Sequence, residues 1–310
     1  MRAKMRTSSN TTVGFVGVGN MGQPMVVNLV KAGWRVMLHD TDKDRAAALA
    51  SLCGCQCAPS LAELAASSSV VILMLPDGKI VRKVVLGEGG DSLLPGLPHG
   101  GVIIDMSSSA PTGTRELGVE LAAEGIDMLD APVSGGVKGA VAGTLAIMVG
   151  GSQEVAGDID PILAAMGKRF HVGPLGSGHA VKVLNNYVSA AGLAAAAEAL
   201  LVARRFGVEE ETLIDVFNAS TGRNNSTENK FKQYVLNSAY NSGFSLDLMV
   251  KDLKLAMDVA DACGVEARLG HSCLDLWQAA QSWTGQHADH TEFARFVLND
   301  GSGRPEGQVA

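Results

Sequence analysis

Short continuous apolar runs dominate the first 175 or so residues, and they are separated by stretches in which apolar and polar positions mix. Val13–Val16, Arg35–His39, Val70–Pro76, Val102–Asp105, Asp127–Asp130 and Leu145–Val149 predict strands. Several of them, such as "VVILML" and "GVIID", are apolar without alternation, as strands covered on both faces of a parallel sheet are. Met21–Ala32, Asp42–Leu52, Ser60–Ala66 and Pro111–Glu124 predict the helices between them, with glycine in "KAGW" and "AEGID" where a helix stops and turns back. Repeated β-α-β units with short connections imply an α/β fold built on a doubly wound sheet.

After about Gly176 the strand runs stop and alanine-rich helical sequence takes over. His179–Phe206 has no internal proline and is apolar around most of its circumference; as one helix it would span roughly 40 Å. A helix of that kind must be covered by the helices that follow it or by a second subunit. Glu209–Ala219, Ser226–Leu236, Leu246–Cys263, Leu269–Trp283 and Thr291–Leu298 predict those following helices. The expected organisation is a tail over 1–11, a sheet domain over 12–175, an all-α domain over 176–300 joined by the long helix, and a tail over 301–310.

Composition narrows the function classes. The formal net charge of -7 argues against non-specific nucleic-acid binding, which needs a basic face to displace counterions. No run approaches the roughly 18 uncharged apolar residues of a membrane span. The basic N-terminus "MRAKMRTSSN" is not followed by an apolar stretch and cleavage site, so a cytoplasmic location is expected. Cys53, Cys55, Cys57, Cys263 and Cys273 contain no C-x-x-C pair; "CGCQC" holds three thiols, but i, i+2 spacing on an extended segment turns neighbours apart, and no metal is expected.

Directly behind the first strand, "VGVGNMG" places Gly17, Gly19 and Gly22 in a G-x-G-x-x-G. Between strand and helix this pattern serves a tight turn, a close backbone approach to a pyrophosphate, and close helix–strand packing. The phosphates would lie on the N–H groups of a helix opening near Asn20 or Met21. With 37 glycines among 310 residues the pattern alone carries little, but the second strand ends in Asp40, 18 residues past Gly22, where a carboxylate would hold an adenosine ribose. That charge would repel a 2′-phosphate and favours NAD, while Lys43 and Arg45 keep NADP as the alternative. "DAPVSGGVKGA" offers Ser134, Gly135 and Gly136 as an anion-binding turn. "GHAVKVLNNY" puts Lys182, Asn185 and Asn186 at i, i+3 and i+4 on one helix face. Spacing leaves each of these two equally readable as a plain turn or a solvated stripe.

Together, "GFVGVGNMGQPM", "DMLDAPVSGG", "GHAVKVLNNY" and "LMVKDLKLAMDVA" closely resemble the β-hydroxyacid dehydrogenase family, which includes 3-hydroxyisobutyrate dehydrogenases and tartronate semialdehyde reductases; the resemblance runs from Val13 to Leu298. It implies Lys182 as the catalytic lysine, Asn186 as the substrate-holding asparagine, and Ser134, Gly135 and Gly136 as the carboxylate-binding segment. It likewise places Leu75, Pro76 and Ser109 against the cofactor and Lys251 at the cofactor and substrate cleft. His179 departs from several relatives. A lysine base needs its pKa brought below the usual value of about 10.4, by burial and nearby positive charge such as Lys251. Imine reductases share these glycine motifs but usually replace the lysine; a cofactor-binding protein without turnover is the non-enzymatic alternative. "STGRNNSTENK" supplies Arg223, Asn224 and Asn225 either for a second polar group on the substrate or for a turn. The expected partners are a small hydroxy acid or semialdehyde and a second copy of the chain, in a homodimer or homotetramer packed through the helical domains.

Overall fold

The computed structural model describes residues 11–87, 90–285 and 287–299. The expected tails, Thr11 apart, lie outside the described residues. The chain divides into two compact units at Lys182/Val183, within one continuous helix.

The first unit runs β1 (Thr12–Val16), α1 (Gly22–Lys31), β2 (Arg35–His39), α2 (Lys43–Cys53), β3 (Gln56–Cys57), α3 (Leu61–Ala66), β4 (Val70–Leu73), α4 (Gly78–Leu86), β5 (Val102–Asp105), α5 (Pro111–Ala123), β6 (Asp127–Asp130), β7 (Val133–Ser134), α6 (Gly136–Ala142), β8 (Leu145–Gly150), α7 (Gln153–Asp158), α8 (Asp160–Ala164) and β9 (Gly167–Gly173). The sheet order is β3-β2-β1-β4-β5-β6-β8-β7, with β9 on β8. Strands β1 to β6 are parallel. The apolar runs of the central strands are used on both faces: Val70, Ile72, Val102 and Ile104 enter one core layer, and Val71, Leu73 and Ile103 the other. The order reverses between β1 and β4, which makes their carboxyl ends a topological switch point, the place where such sheets receive ligands.

The expected doubly wound α/β architecture is present, with one difference at its far side. β8 runs antiparallel to β6 and β7, so the last strands fold back on the sheet. Side-chain caps fix several helix starts: Asp42 accepts from Arg45 N, Ser60 from Glu63 N and Asp77 from Lys79 and Ile80 N. Of "CGCQC", Cys53 closes α2, Gly54 takes a left-handed cap, and Cys57 lies on the edge strand β3.

The second unit consists of most of α9 (Ser177–Phe206), then α10 (Glu210–Ala219), α11 (Asn225–Asn229), α12 (Leu246–Ala262), α13 (Arg268–Thr284) and α14 (Glu292–Leu298). The single helix expected over Ser226–Leu236 is instead the short α11 followed by a π-helical turn at Phe231–Val235. Ala190, Leu193, Ala197 and Leu200 of α9 pack with Ile214, Phe231, Leu253 and Trp277, and Trp277 stacks on Phe293 at 4.2 Å. Contrary to the sequence expectation, α9 is long and apolar enough to cross a membrane, with mean hydropathy 1.4. Alanine supplies much of that apolarity, and here it builds the core of the helical unit.

The second unit also buries a polar cluster. Lys230 Nζ donates to His290 Nε2 at 2.6 Å, and His290 Nδ1 donates to the Phe244 carbonyl at 3.1 Å. Asp289 accepts from Ser242 Oγ, Gly243 N and Thr291 N. Burial lowers the Lys230 pKa to about 8. Burial, then the Lys230 charge, lowers that of His290 to about 4.

Candidate active site

The turn after β1 shows why its glycines differ. Gly17 has φ +95°, and a side chain there would sit 2.3 Å from the Met74 carbonyl of the neighbouring strand end. At Gly22 a Cβ would lie 2.0 Å from Gly17 O, so α1 and the turn touch only because neither carries a side chain. Gly19 is the opposite case: nothing lies within 4 Å of the Cβ position. α1 has Met21 at its N-cap with no side-chain cap, unlike α2, α3 and α4, and no acidic residue in its first turn, unlike α2 and α3. An open concavity at an uncapped helix N-terminus is what a diphosphate requires, and the residues present fit a dinucleotide. Asn20 and Met21 form the turn leading into α1.

Asp40 closes this loop. Its Oδ2 accepts from Val18 N at 2.7 Å and its Oδ1 from Asp42 N at 2.8 Å, which holds the carboxylate beside the glycine turn at the end of β2. Opposite, Leu75 N donates to Ser107 Oγ at 2.9 Å, Ser107 N to Asp105 Oδ1 at 2.9 Å, and Ser109 Oγ to Asp105 Oδ2 at 2.8 Å. Fully buried Asp105 therefore organises two of the expected cofactor residues, Leu75 and Ser109. Pro76 follows Leu75 in the loop leading to α4.

Ser134 ends β7, and Gly135 and Gly136 follow with φ +127° and +58°. Nothing stands within 4 Å of a Cβ at Gly136, and Gly135 provides no side-chain cap for α6, so this turn presents open backbone.

Lys182 is half-buried in the second turn of α9, whose beginning is anchored to the sheet. Asp130, fully buried at the end of β6, accepts from Gly176 N and His179 N, both at 2.7 Å. A carboxylate on the first N–H groups of a helix is favoured by the helix dipole as well. Gly178 permits the approach: a Cβ there would sit 2.2 Å from Met148 O.

In the helical unit, Asn186 Nδ2 donates to buried Asp252 Oδ2 at 2.6 Å, and Asn185 Nδ2 donates to Asn186 Oδ1 at 3.2 Å. Lys251 Nζ stands 3.7 Å from Asp252 Oδ1. Asp252 thus orients Asn186 and faces Lys251. Asn224 caps α11 through a reciprocal capping box with Thr227, which gives it the turn role; exposed Arg223 faces Glu228 at 3.7 Å.

The residues that sequence reasoning missed are Asp105, Ser107, Asp130 and Asp252. Asp105 and Asp130 share one signal, an acidic residue closing an apolar strand run at the carboxyl edge of the sheet. Among the described residues no group of three or more His, Cys, Asp or Glu is placed to hold a metal ion.

Comparison with known proteins agrees with this geometry. The family profile described as "NAD binding domain of 6-phosphogluconate dehydrogenase" matches residues 12–176. The profile described as "NAD-binding of NADP-dependent 3-hydroxyisobutyrate dehydrogenase" matches 176–297. The chain is 40% identical over 286 residues to a probable 3-hydroxyisobutyrate dehydrogenase of Mycobacterium tuberculosis, covering 90% of this chain and 94% of that one. It is 40% identical over 247 residues to 2-(hydroxymethyl)glutarate dehydrogenase of Eubacterium barkeri, covering 79% and 81%. A solved Mycobacterium tuberculosis 3-hydroxyisobutyrate dehydrogenase with L-serine superposes with TM-score 0.84 at 36% identity, covering 93% of this chain and 99% of that one. A solved Myxococcus stipitatus imine reductase, at 17% identity and TM-score 0.63, shares the fold alone. With NAD-binding profiles across both units and relatives at this identity, the chain belongs to the β-hydroxyacid dehydrogenase family.

Proposed function

We infer that the protein interconverts a small β-hydroxy acid and its semialdehyde with NAD, NADP being the alternative, and that Lys182 is the general acid/base. The carrying observation is that Asp130 pins the first turn of α9, and so the turn that bears Lys182, to the same carboxyl edge of the sheet that carries the uncapped glycine loop. Bound there, the nicotinamide supplies the hydride acceptor. Lys182 takes the hydroxyl proton in oxidation and returns it to the forming alkoxide in reduction. Ser134 with the backbone of Gly135 and Gly136 receives the carboxylate, Asn186 orients the hydroxyl, and Lys251 adds positive charge. Gly17, Gly19, Asn20, Met21 and Gly22 cradle the diphosphate, Asp40 holds the ribose, and Leu75, Pro76 and Ser109 line the cofactor. The names of the relatives, a hydroxyisobutyrate and a hydroxymethylglutarate dehydrogenase, support the substrate class.

On this reading residues 12–175 bind the cofactor and 176–300 serve substrate and assembly. α9 leaves Val188, Val202 and Phe206 68%, 68% and 87% exposed, which supports a homodimer or homotetramer through the helical units. Light scattering at micromolar concentration is expected to give a multiple of 32.1 kDa; a monomer mass contradicts that. A cytoplasmic location, without nucleic-acid or membrane partners, completes the reading.

The activity is tested by NAD reduction at alkaline pH with 3-hydroxyisobutyrate, glycerate, serine, threonate, 3-hydroxypropionate and 4-hydroxybutyrate, in parallel on Lys182→Ala. Turnover of one acid that drops by about 10²- to 10⁴-fold in the variant is expected. NADH binding without turnover of any acid contradicts it, as does reduction of an imine in their place.

A further inference from the structure

The first turn of α9 carries a buried histidine that the proposed chemistry does not use. His179 is fully buried three residues before Lys182. Its Nδ1 lies 2.9 Å from Thr114 Oγ1 of α5, and its Nε2 lies 3.7 Å from Asp105 Oδ2 with no hydrogen-bond partner. Its backbone N–H is held by Asp130 Oδ2.

The ring is enclosed by polar groups from four directions: Thr114 on α5, Asp105 at the end of β5, Asp130 at the end of β6, and its own helix turn. Nδ1 stands 3.7 Å from Asp130 Oδ2, just as Nε2 stands 3.7 Å from Asp105 Oδ2, so the ring contact at hydrogen-bond distance is that between Nδ1 and Thr114 Oγ1. Asp105 Oδ2 is also the atom that accepts from Ser109 Oγ, and Oδ1 accepts from Ser107 N. One carboxylate thus stands between the cofactor-side hydroxyls and the helix turn that leads to Lys182.

We propose that His179 is a positioning residue: its Nδ1 contact with Thr114 Oγ1 fixes the first turn of α9 relative to α5, which starts just after Ser109, and so sets where Lys182 stands. The inference rests on the reading of Lys182 as the acid/base. Asp130 fixes the helix along its axis through two N–H groups, but a carboxylate capping a helix end leaves rotation about that axis loosely held. The His179 ring, reaching sideways to Thr114 of α5, is the contact that resists it. A displacement of about 1 Å at a reacting group can cost about 10²-fold in rate.

Two amides separate this role from simple packing. The Nδ2 of asparagine can replace imidazole Nδ1 and keep the Thr114 link, whereas glutamine carries its amide one bond further out, at the Nε2 position, and loses that link. Steady-state kinetics of His179→Leu, His179→Asn and His179→Gln are compared on the acid that the wild type oxidises, together with NADH titration by fluorescence and thermal melts. The expected result is a kcat fall of about 10- to 100-fold in His179→Leu and His179→Gln, with KM and NADH affinity within about 3-fold of wild type, and recovery in His179→Asn. Should the leucine variant not fold, the two amides decide. Equal kcat in the asparagine and glutamine variants overturns the proposal, as does a lowered melting temperature with kcat unchanged. Loss of activity in Lys182→Ala alongside unaltered His179 variants overturns this inference and leaves the proposed function intact. An active Lys182→Ala overturns both.

Discussion

Two buried polar clusters, alike in composition, serve different ends. At the edge of the sheet, His179 lies among Asp105, Asp130 and Thr114, next to Lys182 and to Ser109. In the helical unit, His290 lies among Lys230, Asp289 and Ser242 and joins the π-helical turn region to the segment before α14. The first cluster uses its carboxylates to hold backbone N–H groups and hydroxyls at strand ends, where ligands arrive. The second holds chain segments to one another. Burying polar groups is costly unless each is paired, so either cluster has to be nearly complete; on the proposed function, what distinguishes them is that the first holds the helix turn of Lys182.

The largest expected effect falls where that comparison is sharpest. Lys182→Ala should lower turnover by about 10²- to 10⁴-fold, a far larger change than its effect on the melting temperature or on NADH affinity. Parallel kinetics and melts check this.

Next come the glycines of the first turn, which separate folding from binding within five residues. Gly17→Ala should destabilise by about 1–3 kcal/mol, since the added methyl meets the Met74 carbonyl in a left-handed backbone. Gly19→Val should melt near wild type and bind NADH at least about tenfold more weakly, because its side chain enters open space where the diphosphate is expected. Urea melts and fluorescence titration distinguish the two, and equal NADH affinity in Gly19→Val would place the cofactor elsewhere.

The smallest effect belongs to the second cluster and appears as pH dependence of stability. The unfolded chain protonates His290 near 6.5 but the folded chain only near 4, so stability falls as pH drops through that window. Lys230 loses its proton near 8 in the folded chain and near 10.5 in the unfolded one, so stability rises over that range. Urea midpoints of His290→Gln should vary less between pH 4 and 6.5 than those of the wild type, with kcat unchanged; a variant that retains the full slope would assign it to other groups.

These elements also show what the sequence could and could not say. The runs at Val70, Val102 and Asp127 announced strands because both faces of each are buried, and the glycines behind β1 announced the turn because turns of that kind require them. β3 has only two residues, β7 likewise, and β9 mixes Lys168, Arg169 and His171 into an edge strand; none carries a periodic signal. The π-helical turn at Phe231–Val235 was hidden in an otherwise helical pattern. Among candidate site residues, spacing alone left Lys182, Asn186 and the Ser134 turn open, and the family resemblance singled them out. Asp105 and Asp130 gave only their place at the ends of apolar strand runs, and Asp252 gave no signal, since its partner Asn186 lies 66 residues away in sequence. His179 was visible only as a departure, and its neighbours became apparent only when the strand ends were brought together.

The central claim, that Lys182 moves the proton while hydride leaves the substrate, is tested most directly by the pH dependence of kcat for oxidation, measured on the wild type and on Lys182→Ala with the same acid. The account predicts a wild-type rate that rises with an ionisation below about pH 9, and a residual rate in the variant from which that ionisation is missing. A variant that keeps the wild-type profile, at any absolute rate, would contradict it.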